Sequence, residues 1–247
     1  MFLWYSVDYW YIILYCILII GGYIMSIIQA VITDNFCLMS GDSRATYSNN
    51  NTCRSGFNKV IKLNNQILFG VTGNPIHCFK LFDGYCFYDT KKGFVNSDKE
   101  FDDLSYIEFI GIITSKFYKM LKEHIEGISK YEFGVIICGY NGKRFEITSF
   151  SIGSKFGVPN GINIIHKADD FPYKCAMVGL SKHINKFEIL TNELHEKYLS
   201  ENFSIRQFKN IMQEVVDDGS KFDYTIDNKL NFETIRKLNK NDDIIFK

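Results

Sequence analysis

Four residues between positions 26 and 73 have the types and order of an amine-assisted nucleophile. Ser26 follows Met25 and opens an apolar run, Asp42 closes the next one in Asp42-Ser43-Arg44-Ala45-Thr46, Lys59 enters a third, and Gly73 ends Phe69-Gly70-Val71-Thr72-Gly73. A serine hydroxyl is a weak nucleophile until a base takes its proton. The free α-amine of an N-terminal residue can do so because its unperturbed pKa lies near neutrality. Lys59 beside the hydroxyl would lower its proton affinity, and Asp42 would hold the lysine and balance its charge. A backbone N–H at Gly73 would face the developing oxyanion, where the missing side chain lets a substrate approach closely. Taken singly, Asp42 reads as a strand-ending turn residue and Lys59 as a solvated edge charge. Their joint register with Ser26 and Gly73 is what points to catalysis.

That chemistry needs a free amine on Ser26, so the preceding residues matter. Residues 1–24 are almost wholly apolar or aromatic, interrupted by Asp8, and nearly long enough to cross a bilayer. They carry no Lys or Arg, the flank that signal peptides and anchors normally have. Two readings stand. In the first, Ile20-Gly21-Gly22-Tyr23-Ile24-Met25 is a translated ribosome-binding site and spacer, the chain starts at Met25, and removal of Met25 before the small Ser26 frees the amine. In the second, residues 1–24 are a membrane anchor and the amine stays blocked. A domain of residues 25–240 and a polar tail of 241–247 complete the expected organisation, cytoplasmic in the first reading and membrane-anchored in the second.

The elements that must position these residues follow from periodicity. Residues 27–33 and 36–41 read as a hairpin about Thr33-Asp34-Asn35, apolar on both faces and so buried on both. Residues 42–56, with Asn49-Asn50-Asn51, read as a surface loop, and 59–63 and 66–71 as a second hairpin about Asn64-Asn65. Asn74 and Pro75 predict a helix start running to Phe82, then a loop over 83–100 and an amphipathic helix over 101–128. Residues 133–139 and 144–151 flank Tyr140-Asn141-Gly142-Lys143, a hairpin turn. An irregular stretch leads to a strand at 175–179, helices over 181–199 and 204–216 (the latter opened by Ser204), and a last strand over 230–235. Two stacked sheets covered by helices on both outer sides accommodate this order, an α+β, four-layer αββα sandwich.

Composition narrows the function. Lys plus Arg and Asp plus Glu both number 28, and no basic stripe accompanies the 22 Phe and 15 Tyr, so nucleic acid is not an expected partner. The seven cysteines, at 16, 37, 53, 78, 86, 138 and 175, form no CxxC pair and no metal spacing with the five histidines. Free thiols acting as small hydrophobes are expected, with no metal and no cofactor. Gly70 and Gly73 lack the Gly-Lys-Ser/Thr continuation of a phosphate loop. His77 reads as a half-buried helix residue rather than a base, and His183 and His195 as helix-surface residues.

With the two short strands starting at a small hydroxyl residue, Asp42-Ser43-Arg44-Ala45-Thr46 resembles the opening of proteasome β subunits and of the peptidase subunit of the bacterial two-component ATP-dependent protease. The resemblance is carried by Met25 to about Leu81. It places the family's N-terminal threonine on Ser26, its lysine on Lys59 and its oxyanion glycine on Gly73. It implies the N-terminal-nucleophile hydrolase fold, an acyl-enzyme on Ser26, hydrolysis of peptide or unfolded protein, a homo-oligomeric ring and a possible ATPase partner. It also implies that Ala45, Phe57, Val71 and Pro75 line the pocket for the side chain before the cut. The family's Gly-Ser-Gly stands here as Gly179-Leu180-Ser181, leaving Ser181 as candidate for the serine that orients the amine. Its second aspartate falls on Asp223, Asp218 or Asp217. The alternatives are an inactive subunit serving assembly or binding, and a small-substrate amidase of the same fold.

Overall fold

The computed structural model describes residues 23–24, 27–47, 52–97, 99–153, 160–166, 173–179, 187, 189–193, 196, 204–223 and 226–237. The strands are β1 (Tyr23–Ile24), β2 (Ile27–Thr33), β3 (Phe36–Asp42), β4 (Ala45–Tyr47), β5 (Thr52–Arg54), β6 (Val60–Lys62), β7 (Ile67–Gly73), β8 (Cys86–Asp89), β9 (Gly93–Asn96), β10 (Phe133–Tyr140), β11 (Phe145–Ile152), β12 (Gly161–His166), β13 (Tyr173–Gly179) and β14 (Leu230–Arg236). The helices, numbered here in order, are α1 (Pro75–Phe82), α2 (Tyr106–Ile125) and α3 (Ile205–Phe222).

The double-sided apolar strands build two antiparallel sheets, one in the order β13-β2-β3-β14 and one in the order β12-β11-β10-β7-β6. Between the sheets, Ile28, Ala30, Ile32, Cys37 and Met39 meet Val60, Leu68, Ile136, Cys138 and Ile147. The opposite parity of the same strands faces outward. Ile27, Val31 and Leu38 pack under Phe208, Met212 and Val215 of α3, whereas Phe69, Val71 and Val135 pack under Phe82 of α1 and Phe109 and Phe117 of α2. A strand apolar on both faces needs a cover on each, and the helices supply the outer one. The architecture is the expected αββα sandwich. Gln29 ties the layers together, its Nε2 donating to the Met212 carbonyl of α3 at 3.2 Å.

Local chemistry fixes the ends of these elements. Thr33 Oγ1 accepts the N–H groups of Asn35 and Phe36, closing the β2–β3 turn. Asn74 caps α1 by accepting the Ile76 N–H at 3.0 Å, with Pro75 in the first turn. Ser105 and Glu108 form a capping box, so α2 begins at Tyr106 rather than near 101. The carbonyls of Phe101 and Leu104 instead accept Asn64 Nδ2.

Most other departures from the sequence reading are short strands held in place by a partner strand. The expected loop 83–100 contains the β8–β9 hairpin, with Phe94 N–H donating to Asn58 O at 2.9 Å. The expected loop 42–56 contains β4 and β5, and β1 pairs with β4, Tyr23 opposite Tyr47 and Ile24 opposite Thr46. The irregular stretch holds β12 beside β11, β13 begins at Tyr173, and α3 extends to Phe222. Of the helix expected over 181–199, residues 187, 189–193 and 196 are described, and they are helical.

Cys37, Cys78, Cys86 and Cys138 are buried free thiols, and burial pushes those of Cys37 and Cys86 up to about 12. Among the described residues no helix is long and apolar enough to cross a membrane.

A Cβ at Gly139 of β10 would fall on the buried Tyr106 ring and the Gln66 carbonyl oxygen, of which the second is backbone and cannot yield. Gly139→Ala is therefore expected to cost about 1–3 kcal/mol by overpacking and to lower the midpoint of thermal unfolding by several degrees. Circular dichroism melting checks this; an unchanged midpoint would contradict the packing described.

Candidate active site

Asp42 ends β3 with its side chain fully buried, and donors from four parts of the chain converge on it. Oδ1 accepts the Ile27 N–H at 3.0 Å and Lys59 Nζ at 2.8 Å, while Oδ2 accepts the N–H groups of Arg44 at 3.1 Å and Asp227 at 3.4 Å. Neither side chain of the Lys59–Asp42 pair has any exposure. Burial pulls the Lys59 ammonium below its ordinary value, opposed by attraction and hydrogen bonding from Asp42 and by the charge of Asp227.

Backbone packing explains why the lysine arrives there. Lys59 lies one residue ahead of β6, and its carbonyl accepts the Val71 N–H of β7 at 3.0 Å, locking it to the second sheet. Asp42 belongs to the first sheet, so the ion pair spans the two. Gly41 permits the approach: a Cβ there would stand 2.8 Å from Ile28 Cδ1, 3.0 Å from Val60 Cγ2 and 3.2 Å from Lys59 Cβ. Gly73 lies two residues beyond Val71 with φ of 93°, a left-handed conformation suited to glycine. It ends β7 opposite Phe133 and leads directly into the α1 cap.

A second carboxylate closes the arrangement, and it is Asp227. Ser43 Oγ donates to Asp227 Oδ2 at 2.7 Å, and Arg44 Nη2 lies 3.7 Å from Oδ1. Burial works to raise the Asp227 pKa, but hydrogen bonds from Ser43 and Ser55 and the Arg44 charge outweigh it, and the carboxyl sits below its usual range. Asp227 is not among the aspartates expected from sequence. Asp217 and Asp218 instead lie on α3, one accepting from Gln213 at 2.8 Å and the other 3.7 Å from Lys221. Asp223 is buried at the end of α3, where its N–H donates to Gly219 O and its carbonyl accepts the Ile226 N–H. The missed role of Gly41, Ser43, Arg44 and Asp227 had one sequence signal: three of them lie within two residues of Asp42.

Ser26 and Ser181 lie outside the described residues, as do His183 and His195. Ile27, next in the chain after Ser26, is the residue whose N–H binds Asp42. Of the expected pocket residues, Ala45 and Phe57 pack together with Tyr88, whereas Val71 belongs to the core beneath α1 and α2 and Pro75 is buried at the start of α1. His77 is no free base: its Nδ1 accepts the Glu132 N–H at 3.1 Å, its ring stands edge-on to Tyr131, and burial lowers its pKa.

Two sheets stacked between helical layers are a fold that this chain shares with solved structures of proteasome-like proteins. A solved eukaryotic HslV from Trypanosoma brucei superposes with a TM-score of 0.52 at 12% identity, over 86% of this chain and 100% of that one. Anbu, an ancestral beta-subunit from Yersinia bercovieri, gives 0.56 at 12% identity, over 85% of this chain and 82% of its own. No protein-family profile and no curated protein matches the sequence.

Lys59→Met leaves Asp42 buried with its principal counter-charge gone, and is expected to cost about 3–5 kcal/mol in chemical denaturation. Lys59→Met combined with Asp42→Asn is expected to cost less than the two single changes added together. Simple additivity would mean the pair is not coupled as the geometry requires.

Proposed function

We propose that this protein is an N-terminal-nucleophile peptidase whose nucleophile is the hydroxyl of Ser26, exposed with its amine once Met25 is removed. The observation that carries the reading is the buried Lys59–Asp42 pair held against the N–H of Ile27, the residue that follows Ser26. In this reading the Ser26 amine takes the proton from Oγ as Oγ attacks the substrate carbonyl carbon. The Lys59 charge favours the alkoxide character of the attacking oxygen, and Asp42 fixes the lysine in place. The Gly73 N–H receives the developing oxyanion. Collapse of the tetrahedral intermediate expels the leaving amine with the transferred proton and leaves an ester on Ser26. Water then adds to that ester, giving up a proton to the amine, and the second collapse restores the hydroxyl.

The substrate class follows from the strand edge beside the site. β4 already accepts an antiparallel partner, β1, formed by residues just ahead of Met25-Ser26. In a chain that begins at Ser26, residues 23–24 are gone and that edge of β4 is open, so that an extended peptide laid along it would bind through its backbone and run toward the nucleophile, with Ala45 and Phe57 beside its path. Ser181 and Asp223 are retained as candidates for orienting the amine. A cytoplasmic homo-oligomeric ring enclosing the sites, served by an ATPase, belongs to the same reading.

The test is hydrolysis of fluorogenic peptides by protein whose first residue is verified as Ser26 by mass spectrometry. Ser26→Ala is expected to abolish turnover by at least a hundredfold, while Ser26→Thr retains it. Turnover unaffected by Ser26→Ala would refute the assignment. The pH profile should be a bell: it rises as the α-amine loses its proton, around pH 8 for an unperturbed amine. It falls as Lys59 loses its own, at a pH below the ordinary 10.5 because burial lowers that pKa. An activity still climbing above pH 10.5 would remove Lys59 from the mechanism.

A further inference from the structure

The outer face of α2 carries a heptad pattern, most of which is exposed among the described residues. Ile107, Gly111, Thr114, Tyr118, Leu121 and Ile125 follow one another at alternating spacings of four and three, the heptad seam of paired helices. The core side of α2 is occupied by other residues, Tyr106, Phe109, Ile113, Phe117 and Met120. On the seam, Ile107, Tyr118 and Ile125 are 62%, 59% and 72% exposed, and Ile128, just past the helix end, is 68% exposed. Gly111 stands in the helix interior with open space where its side chain would be. A glycine there costs roughly 1 kcal/mol relative to alanine, and among the described residues no neighbour lies where its side chain would be.

We infer that α2 is a two-fold contact between copies of this chain, the two helices running antiparallel. Charge decides for a second copy over other partners. Residues 100–115 hold Glu100, Asp102, Asp103 and Glu108 and no Lys or Arg, whereas residues 116–130 hold Lys116, Lys119, Lys122 and Lys130 against Glu123 and Glu126. The helix dipole accounts for acids at one end and lysines at the other, but not for the apolar seam between them. Antiparallel pairing sets each acidic end against the lysine-rich end of the other copy.

The register follows from matching the seam to itself. With the two-fold axis near Ser115 and Lys116, Ile107 faces Ile125 of the second copy, Gly111 faces Leu121 and Thr114 faces Tyr118. Each small residue thus stands opposite a large one, while Leu121 keeps its packing against the core beneath α2. On the solvent flank Glu108 falls opposite Lys122, with Ser115 opposite itself. The cleft of about 680 Å³ at the start of α2, lined by Glu100, Phe101, Asp102, Asp103 and Leu104 among others, receives the end carrying Ile125 and Ile128. The contact is isologous and therefore closed, unlike the head-to-tail contacts that make a ring. It is independent of whether Ser26 is a nucleophile.

The experiment uses the full chain. Ser115→Cys is expected to form an intermolecular disulfide with its own copy under mild oxidation, giving a band of twice the mass on non-reducing gels. Lys143→Cys, at the tip of the β10–β11 hairpin, should not. Tyr118→Glu is expected to halve the mass of the assembly in sedimentation velocity while leaving the circular dichroism spectrum unchanged. Lys122→Glu should weaken association at least tenfold by setting a second carboxylate against Glu108. Failure of Ser115→Cys to cross-link, or a mass that Tyr118→Glu does not change, overturns the inference and leaves the seam to a different partner.

Discussion

The buried ion pair between Lys59 and Asp42 is the constraint on which the arrangement around it depends. Burying two charges costs several kcal/mol each unless geometry and further hydrogen bonds compensate. Here the compensation comes from backbone N–H groups that must be brought from Ile27, Arg44 and Asp227 to one carboxylate. The pair therefore does more than join two side chains. It fixes where β2 begins, how the chain leaves β3 and where it enters β14, and it ties one sheet to the other through the lysine.

An ion pair of this kind is weak evidence for stability, because apolar residues of similar size would fill the space at less cost. Around it the structure adds a second acid, Asp227, held by Ser43 and Arg44 from the same turn that follows Asp42. Gly41 is the steric counterpart, since without its missing side chain the two sheets would not close enough for the lysine to reach.

The αββα layering was readable in the sequence wherever an element declares itself locally. Residues 27–41 are apolar at every parity, so they require cover on both faces. Asn74-Pro75 and Ser204 mark helix starts whether or not anything packs on them. The structure added β4, β5, β8 and β9, each three or four residues long and stabilised by a partner strand. Such segments carry no periodicity of their own, and without the pairing partner they read as loop. The start of α2 shows the same limit from the other direction: Phe101 and Leu104 continue the apolar pattern, but Asn64 takes their carbonyls, and the capping box at Ser105 sets the boundary.

What the sequence by itself determined is the set of residues at the start of the chain: Asp42, Lys59 and Gly73 lie within a short span, and their order along successive strands is enough to bring them to one end of the sheets. What only the tertiary structure decided is the partner from the far end. Asp227 meets Ser43 across a separation of 184 residues, in a loop with no regular pattern, so neither spacing nor periodicity could select it over Asp217, Asp218 or Asp223. The length of α3 decides where each of the four nearby aspartates falls. Running to Phe222, it leaves Asp217 and Asp218 on the helix and Asp223 at its end, and carries Asp227 onto the turn after Asp42.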